Sequence, residues 1–231
     1  WYNMIIDTHC HFDMMTSPER YIQKQEGVGN VVIGMTNLPS HFELGAPYIK
    51  TYKNIRLALG FHPLLAAENR KEISKFQKCI EQTSYIGEIG LDFSREGIVT
   101  KNVQISVLRN LLESLKGMKK IISVHSRKAE VMLFDLLTEY NIENVIFHWY
   151  SGPLNLIDDI VNEGYYFSIN EAMTLSESGR RIISKIPTDR ILTESDAPYN
   201  NKNNIHNALR NIGFSESLIQ SNFNTLIKRI K

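Results

Sequence analysis

The chain has 231 residues, 42% of them hydrophobic, and 26 Lys and Arg against 25 Asp and Glu for a net charge of +1. This composition excludes disorder and collagen-like repetition, needs neither disulfides nor a structural metal to hold one core, and fits one domain spanning residues 1–231. Cys10 and Cys79 are too few for a secreted disulfide scaffold, so free thiols in a reducing cytoplasmic compartment are expected, and no run reaches the ~20 apolar residues of a membrane span.

No signal peptide is visible, and Trp-Tyr-Asn ahead of Met4 reads as an appended remnant or the end of a trimmed segment. Short apolar, β-branched runs then alternate with longer amphipathic stretches. Runs over 4–9, 30–36 and 55–60 read as buried parallel strands. The segment 38–53 carries Pro39, Gly45 and Pro47, which are expected to interrupt any long helix there. A helix over 72–81 and a strand over 84–90 follow. Val103, Val107, Leu108, Leu111, Leu112 and Leu115, spaced three and four apart, mark a crossover helix. Further strands are read at 120–126, 144–149, 164–170 and 190–196, with helices over 128–140, 153–163, 172–185 and 215–230. Ser151-Gly152-Pro153 looks like a helix start with proline in the first helical position. Eight strands give about 29 residues per unit, near the usual length of an α/β TIM-type (β/α)8 barrel.

The reactive side chains fall at equivalent places in these units. His9 and His11 end the first strand as H-x-H, and alternation along an extended segment turns both rings to one side, with Cys10 opposite. Glu88 is expected to end strand four, His125 strand five, His148 strand six and Asp196 strand eight. In a parallel barrel these ends converge on the face where barrel enzymes place their chemistry. Imidazole and carboxylate suit zinc, manganese, iron or nickel, and the lack of paired cysteines argues against a closed structural zinc site. Six ligands exceed what one open catalytic ion takes and suit two, bridged by a carboxylate such as Glu88.

Seven motifs occur in order: IDTHCHFD (6–13), LGFHP (59–63), IGEIGLD (86–92), ISVHSRKA (122–129), FHWYSG (147–152), GYYFSIN (164–170) and LTESDAPY (192–199). Together they resemble the TatD-like metal-dependent deoxyribonucleases of the amidohydrolase-type barrels. The resemblance covers nearly the whole chain. It implies a two-metal site with His9, His11, Glu88 and Asp196 on one divalent ion and Glu88, His125 and His148 on the other, drawn from Zn, Mn, Mg, Ni or Co. It also implies hydrolysis of DNA phosphodiester bonds, often 3′ to 5′ on single strands. Asp196 would orient the attacking water or accept its proton, and Glu88 would share in catalysis as the bridge.

Around these, Arg127 is a candidate phosphate contact through its bidentate fork, the alternative being a surface salt bridge. His62, expected at the end of strand three, is read as a phosphate or further metal ligand, or as a structural hydrogen-bonding group. Ser151 and Gly152 are read as backbone anion donors at a helix start. Trp149 and Tyr150 are read as base-stacking platforms, with core packing the alternative for Trp149. Glu194 and Asp92, with Asp7, are expected to support the ligands by hydrogen bonding, and His41 and His206 to lie on the surface.

Some positions depart from the family pattern. Ser195 stands where a threonine is usual, Trp149 where a small residue is usual, and Tyr199-Asn-Asn-Lys-Asn-Asn-Ile-His replaces a longer loop with an R-N-x-P element. Substrate length and strand preference are therefore not carried over. The short, divergent form also resembles the TatD-like component of Qat-type antiphage cassettes, which would imply protein partners. Two other classes stay open: a metal-dependent hydrolase of a small amide, ester or phosphoester, since fold does not fix substrate, and a partner-binding protein with a vestigial site.

Overall fold

Each of the eight expected strands forms: β1 (Ile6–Cys10), β2 (Val31–Gly34), β3 (Ile55–Leu57), β4 (Tyr85–Asp92), β5 (Ile121–Arg127), β6 (Val145–His148), β7 (Tyr166–Ile169) and β8 (Ile191–Thr193). The computed structural model describes residues 4–200 and 203–230, and residues 1–3, read above as a remnant or the end of a trimmed segment, lie outside the described residues. All pairings are parallel. The strands are buried on both faces, which is why they read as β-branched runs rather than as alternating patterns.

An unbroken eight-stranded ladder is not formed. The strands hydrogen-bond as two sheets, β1-β2-β3 and β4-β5-β6-β7-β8. The physical reason is length, because β3 and β8 each run for only three residues. At the first seam the residues following β2 and β3 join β4 through an isolated bridge, Leu59 to Ile86, and through backbone hydrogen bonds such as Phe61 N–H to the Glu88 carbonyl (2.9 Å) and Glu88 N–H to the Thr36 carbonyl (3.2 Å). At the second, polar groups replace the ladder. Thr8 Oγ1 donates to the Thr193 carbonyl (3.0 Å), Asp196 N–H to the His9 carbonyl (2.9 Å) and His11 N–H to the Ala197 carbonyl (2.7 Å). The ends of β1 and β8 therefore lie side by side.

Around the strands pack α1 (Pro18–Gly27), α2 (Pro39–Ile49), α3 (Ile73–Cys79), α4 (Lys101–Leu115), α5 (Glu130–Glu139), α6 (Leu156–Asn162), α7 (Glu171–Leu175), α8 (Glu177–Lys185), α9 (Ile205–Ile212) and α10 (Glu216–Ile227). The stripe on α4 is buried at Val107, Leu108, Leu111, Leu112 and Leu115. Four details correct the sequence reading. The proline-containing segment 38–53 does form a helix, α2, because Pro39 occupies the first turn, where its missing N–H costs nothing, and Pro47 falls in the last turn. The stretch 172–185 divides at Ser176, whose side chain caps α8 by accepting from Gly179 N–H (3.1 Å). α6 starts at Leu156, so Pro153 precedes it rather than opening it. Finally, α9 arises in the asparagine-rich stretch, capped by Asn204 and closed by Gly213 at φ +71°.

Two register irregularities aim side chains. The β1–β2 ladder shifts between Asp7 and Cys10, and the β4–β5 ladder shifts between Ile86 and Ile89. His9 sits in the first and Glu88 in the second. A bulge re-aims a side chain where regular pleating would not.

Candidate metal centre

His9 and His11 leave β1 with both rings turned to one point, their Nε2 atoms 3.2 Å apart. Glu88 faces them from β4. Its Oε2 lies 3.7 Å from His9 Nε2 and 3.3 Å from His11 Nε2. The same carboxylate's other oxygen, Oε1, lies 2.7 Å from His125 Nδ1 and 2.8 Å from His148 Nε2. Asp196, three residues past β8, brings Oδ1 to 3.9 Å from His9 and 3.8 Å from His11. One carboxylate thus turns one oxygen to each of two donor sets. Glu88 does so from the middle of β4 rather than from its end, because that strand continues to Asp92.

The donor chemistry fits divalent cations. Three groups place nitrogen and carboxylate oxygen atoms within 4.8 Å of one another: His9, His11 and Asp196; His9, Glu88 and His148; and His62, Glu88 and His125. His9 is fully buried, and burial pulls its pKa down to about 3, so its ring is neutral with a lone pair to offer. For Glu88 burial opposes ionisation, but the surrounding His62, His148 and His125 outweigh it and hold the carboxyl well below its usual range. Asp196 is the counter-case, since burial raises its carboxyl to about 7.

A second layer orients the ligands. His9 Nδ1 lies 2.8 Å from Ser123 Oγ. His125 Nε2 lies 2.9 Å from Asp92 Oδ2. Glu194, fully buried, lies 3.6 Å from His148 Nδ1 and is itself held by Ser168 Oγ and by Asn170 Nδ2 (2.8 Å). Asp7 Oδ1 accepts from Ser195 N–H (3.0 Å) and His9 N–H (3.3 Å), tying the two strand ends together. Sequence reasoning passed over Ser123, Ser168 and Asn170. The signal was present, because Ser123 precedes His125 by two residues, and Ser168 and Asn170 are likewise two apart, so alternation puts each pair on one strand face.

The family profile described as "TatD related DNase" matches residues 6–215. The chain belongs to that family. Metal-dependent hydrolase is the enzyme class that its membership and its donor set carry together. Among its relatives is an uncharacterized metal-dependent hydrolase of Buchnera aphidicola, 28% identical over 84% of this chain and 78% of that protein. Human deoxyribonuclease TATDN3 is 26% identical, also over 84% and 78%. Among solved structures, the TatD homologue YjjV from Escherichia coli superposes with a TM-score of 0.81 at 23% identity, covering 98% of this chain and 97% of that one. At that identity the likeness concerns the fold, which is the TIM-barrel type expected.

The TatD motifs also line a cavity of about 630 Å³ above the cluster, bordered by His62, Arg127, Trp149, Ser151 and Tyr199 among others. Arg127, the exposed last residue of β5, has no carboxylate partner among the described residues, so the salt-bridge alternative is not realised. His62 does not end β3. It sits five residues beyond, heading a 3-10 turn, where its Nδ1 accepts from Leu64 N–H (3.2 Å). Trp149, half-buried, both packs on the core and borders the cavity. Tyr150 is corrected from stacking platform to core residue, since it is buried and donates to the Pro153 carbonyl (2.7 Å). The helix-start reading of Ser151 and Gly152 is also corrected, because α6 opens farther on. Tyr199 accepts from Asn37 Nδ2 (2.9 Å) and packs edge-on against His11. Both cysteines are buried and unpaired. His206 is exposed beside Glu216.

Proposed function

We propose that this chain is a deoxyribonuclease that removes nucleotides from single-stranded DNA ends, working 3′ to 5′ with two divalent ions. The observation that carries the reading is the division of the Glu88 carboxylate between two donor sets beneath a cavity that Arg127 borders. His9, His11, Asp196 and Glu88 would hold one ion, and Glu88, His125 and His148 the other. When bound, such a pair polarises the phosphoryl oxygen, activates water and stabilises the leaving alkoxide. A cavity of about 630 Å³ has the size of a small-ligand site and takes the end of one strand rather than a duplex.

The chain's own side chains do the rest. Asp196, ionised once it holds the cation, orients the attacking water or accepts its proton. Arg127 offers its guanidinium to a phosphate of the entering strand. His62 accepts at Nδ1, which leaves the proton of the neutral ring on Nε2, a donor aimed at the cavity and 3.6 Å from Glu88. That tautomer suits a phosphate oxygen better than a cation. Trp149 stacks the terminal base.

Oligonucleotides labelled at either end, incubated with Mg, Mn, Co, Ni or Zn, should shorten from the 3′ end and survive when a chelator is added. Glu88→Ala and His125→Ala should remain folded and lose at least one equivalent of metal. Intact single strands under every metal would sink the nuclease reading.

A narrower part of the proposal places the enzyme beside partner proteins in antiphage defence. Exposed apolar side chains that a partner could cover support it, among them Tyr199 (59% exposed) at the cavity rim and, elsewhere on the surface, Val99 (84%) and Leu175 (65%). Phage plating efficiency on cells expressing the wild-type or the Glu88→Ala chain tests it, and equal plating would remove the defence role.

A further inference from the structure

The second large cavity, about 610 Å³, lies at the other end of the barrel. It is bordered by Arg56 of β3, by residues 81–85 leading into β4 and by Lys120 immediately ahead of β5, whereas the metal-type ligands gather toward the opposite strand ends. Three cations border it, the exposed Lys50 and the less exposed Arg56 and Lys120, and the latter two lack adequate partners. Lys120 is 7% exposed, and its ammonium donates to the Thr83 carbonyl (2.8 Å). Its nearest carboxylate, Glu81, is 3.9 Å away, beyond hydrogen-bond length, on a side chain 79% exposed. An ammonium has three donors, so two remain unused among the described residues.

Arg56 is similarly underused. Its Nη1 donates to the carbonyls of Tyr52 (2.9 Å) and Ile55 (2.8 Å), and no carboxylate pairs with it among the described residues. Three of its five N–H donors stay available. Burying a cation without a close anion is costly, and burial lowers the Lys120 pKa against the weaker pull of the exposed Glu81. The remaining wall is mixed, with Tyr52 and Tyr85 beside the apolar Phe42, Ile49 and Leu57.

We propose that this cavity binds a phosphomonoester of mononucleotide size, its phosphate between Lys120 and Arg56 and its organic body against Tyr52, Tyr85 and Leu57. Two cations match a dianionic phosphate better than a single carboxylate. A volume of about 610 Å³ lies within the range of small-molecule sites and exceeds what inorganic phosphate alone would fill. The site is independent of the proposed nuclease chemistry. A free nucleotide and a sugar phosphate share the recognised group.

Calorimetry on the metal-loaded full chain tests the assignment, with dAMP, ribose 5-phosphate, inorganic phosphate and benzoate as probes. A chelator removes the phosphate binding that needs metal, and because Arg127 and His62 still border the first cavity, only chelator-resistant binding that survives in Arg127→Ala and falls in Arg56→Gln belongs to this one. At least one of the two esters should bind there, more tightly than inorganic phosphate or benzoate. Arg56→Gln, on a half-buried side chain, should weaken that binding tenfold or more and leave oligonucleotide cleavage unchanged. Lys120→Met should do the same, with circular dichroism confirming its fold. Binding of dAMP alone would identify a nucleotide site, and binding of both esters a general phosphomonoester site; either carries the proposal. It is overturned if neither ester binds in the presence of chelator, or if Arg56→Gln binds as the wild type does.

Discussion

At the scale of single residues, Asp196 and Arg127 separate chemistry from binding. Asp196 lies within 4 Å of both His9 and His11, and in the metal-free chain burial holds its carboxyl near 7. If it takes the proton of the attacking water, Asp196→Asn should lower turnover by about 10²-fold or more while oligonucleotide affinity changes little. Metal content must be measured on the same sample, and full occupancy with wild-type turnover would exclude the role. Among the described residues Arg127 touches no carboxylate, so its replacement by Ala orphans none of them. Affinity should fall ten- to hundredfold, as expected for a charge-assisted phosphate contact of roughly 1.5–3 kcal/mol. The salt dependence of binding should also become shallower. The six metal-type ligands were legible in the sequence because each stands beside a β-branched run that predicts a strand. Tyr150 was misread because FHWYSG looks alike whether a ring turns outward or, as here, inward to the Pro153 carbonyl.

Among elements, the seams matter most. Strand positions were legible from apolar runs, and α4 from its stripe, since both report burial directly. The joints were not. The place where β3 gives way to a loop, and the division of 172–185 at Ser176, depend on which polar group finds which backbone partner, and periodicity does not carry that information. At the β3–β4 seam, Gly60 marks how closely the backbones approach. A Cβ there would fall 1.6 Å from the Thr36 carbonyl oxygen and 2.8 Å from the Glu88 amide nitrogen. Neither neighbour is a flexible side-chain end, so backbone must move. Gly60→Ala should therefore cost about 2–4 kcal/mol in denaturant unfolding, and because the displaced strand carries Glu88, it should also weaken metal binding. Wild-type stability and metal affinity together would show that the seam yields more easily than its geometry implies.

For the whole molecule, the donor set exists only in the fold, since it draws on strands from residue 9 to residue 196. Metal binding is then folding free energy. Free metal at 100 times Kd adds about 2.7 kcal/mol, which for a domain of this size raises Tm by roughly 5–10 °C. Protons compete for the same atoms, and the sign differs between the metal-free and metal-loaded chains. Without metal, Asp7 and Asp196, both raised by burial to about 7, hold protons in the fold that the unfolded chain has released. Their contribution to stability is present at low pH and lost as pH rises from about 4 to about 7. His9 and His62, lowered by burial to about 3 and about 4, act in the opposite sense over the same window and offset that loss. His125 and His148 tip the balance. Burial lowers both, but the Glu88 charge outweighs it and raises them above 6.5, so their stabilisation fades as pH climbs past that value. The metal-free chain should therefore lose Tm between pH 6 and pH 8. Metal needs those same groups deprotonated, so the rise in Tm on adding metal should be larger at pH 8 than at pH 6, and Asp196→Asn should flatten the difference. Differential scanning calorimetry with and without chelator at the two pH values measures it, and an equal rise at both would mean that protons and metal do not compete for this cluster.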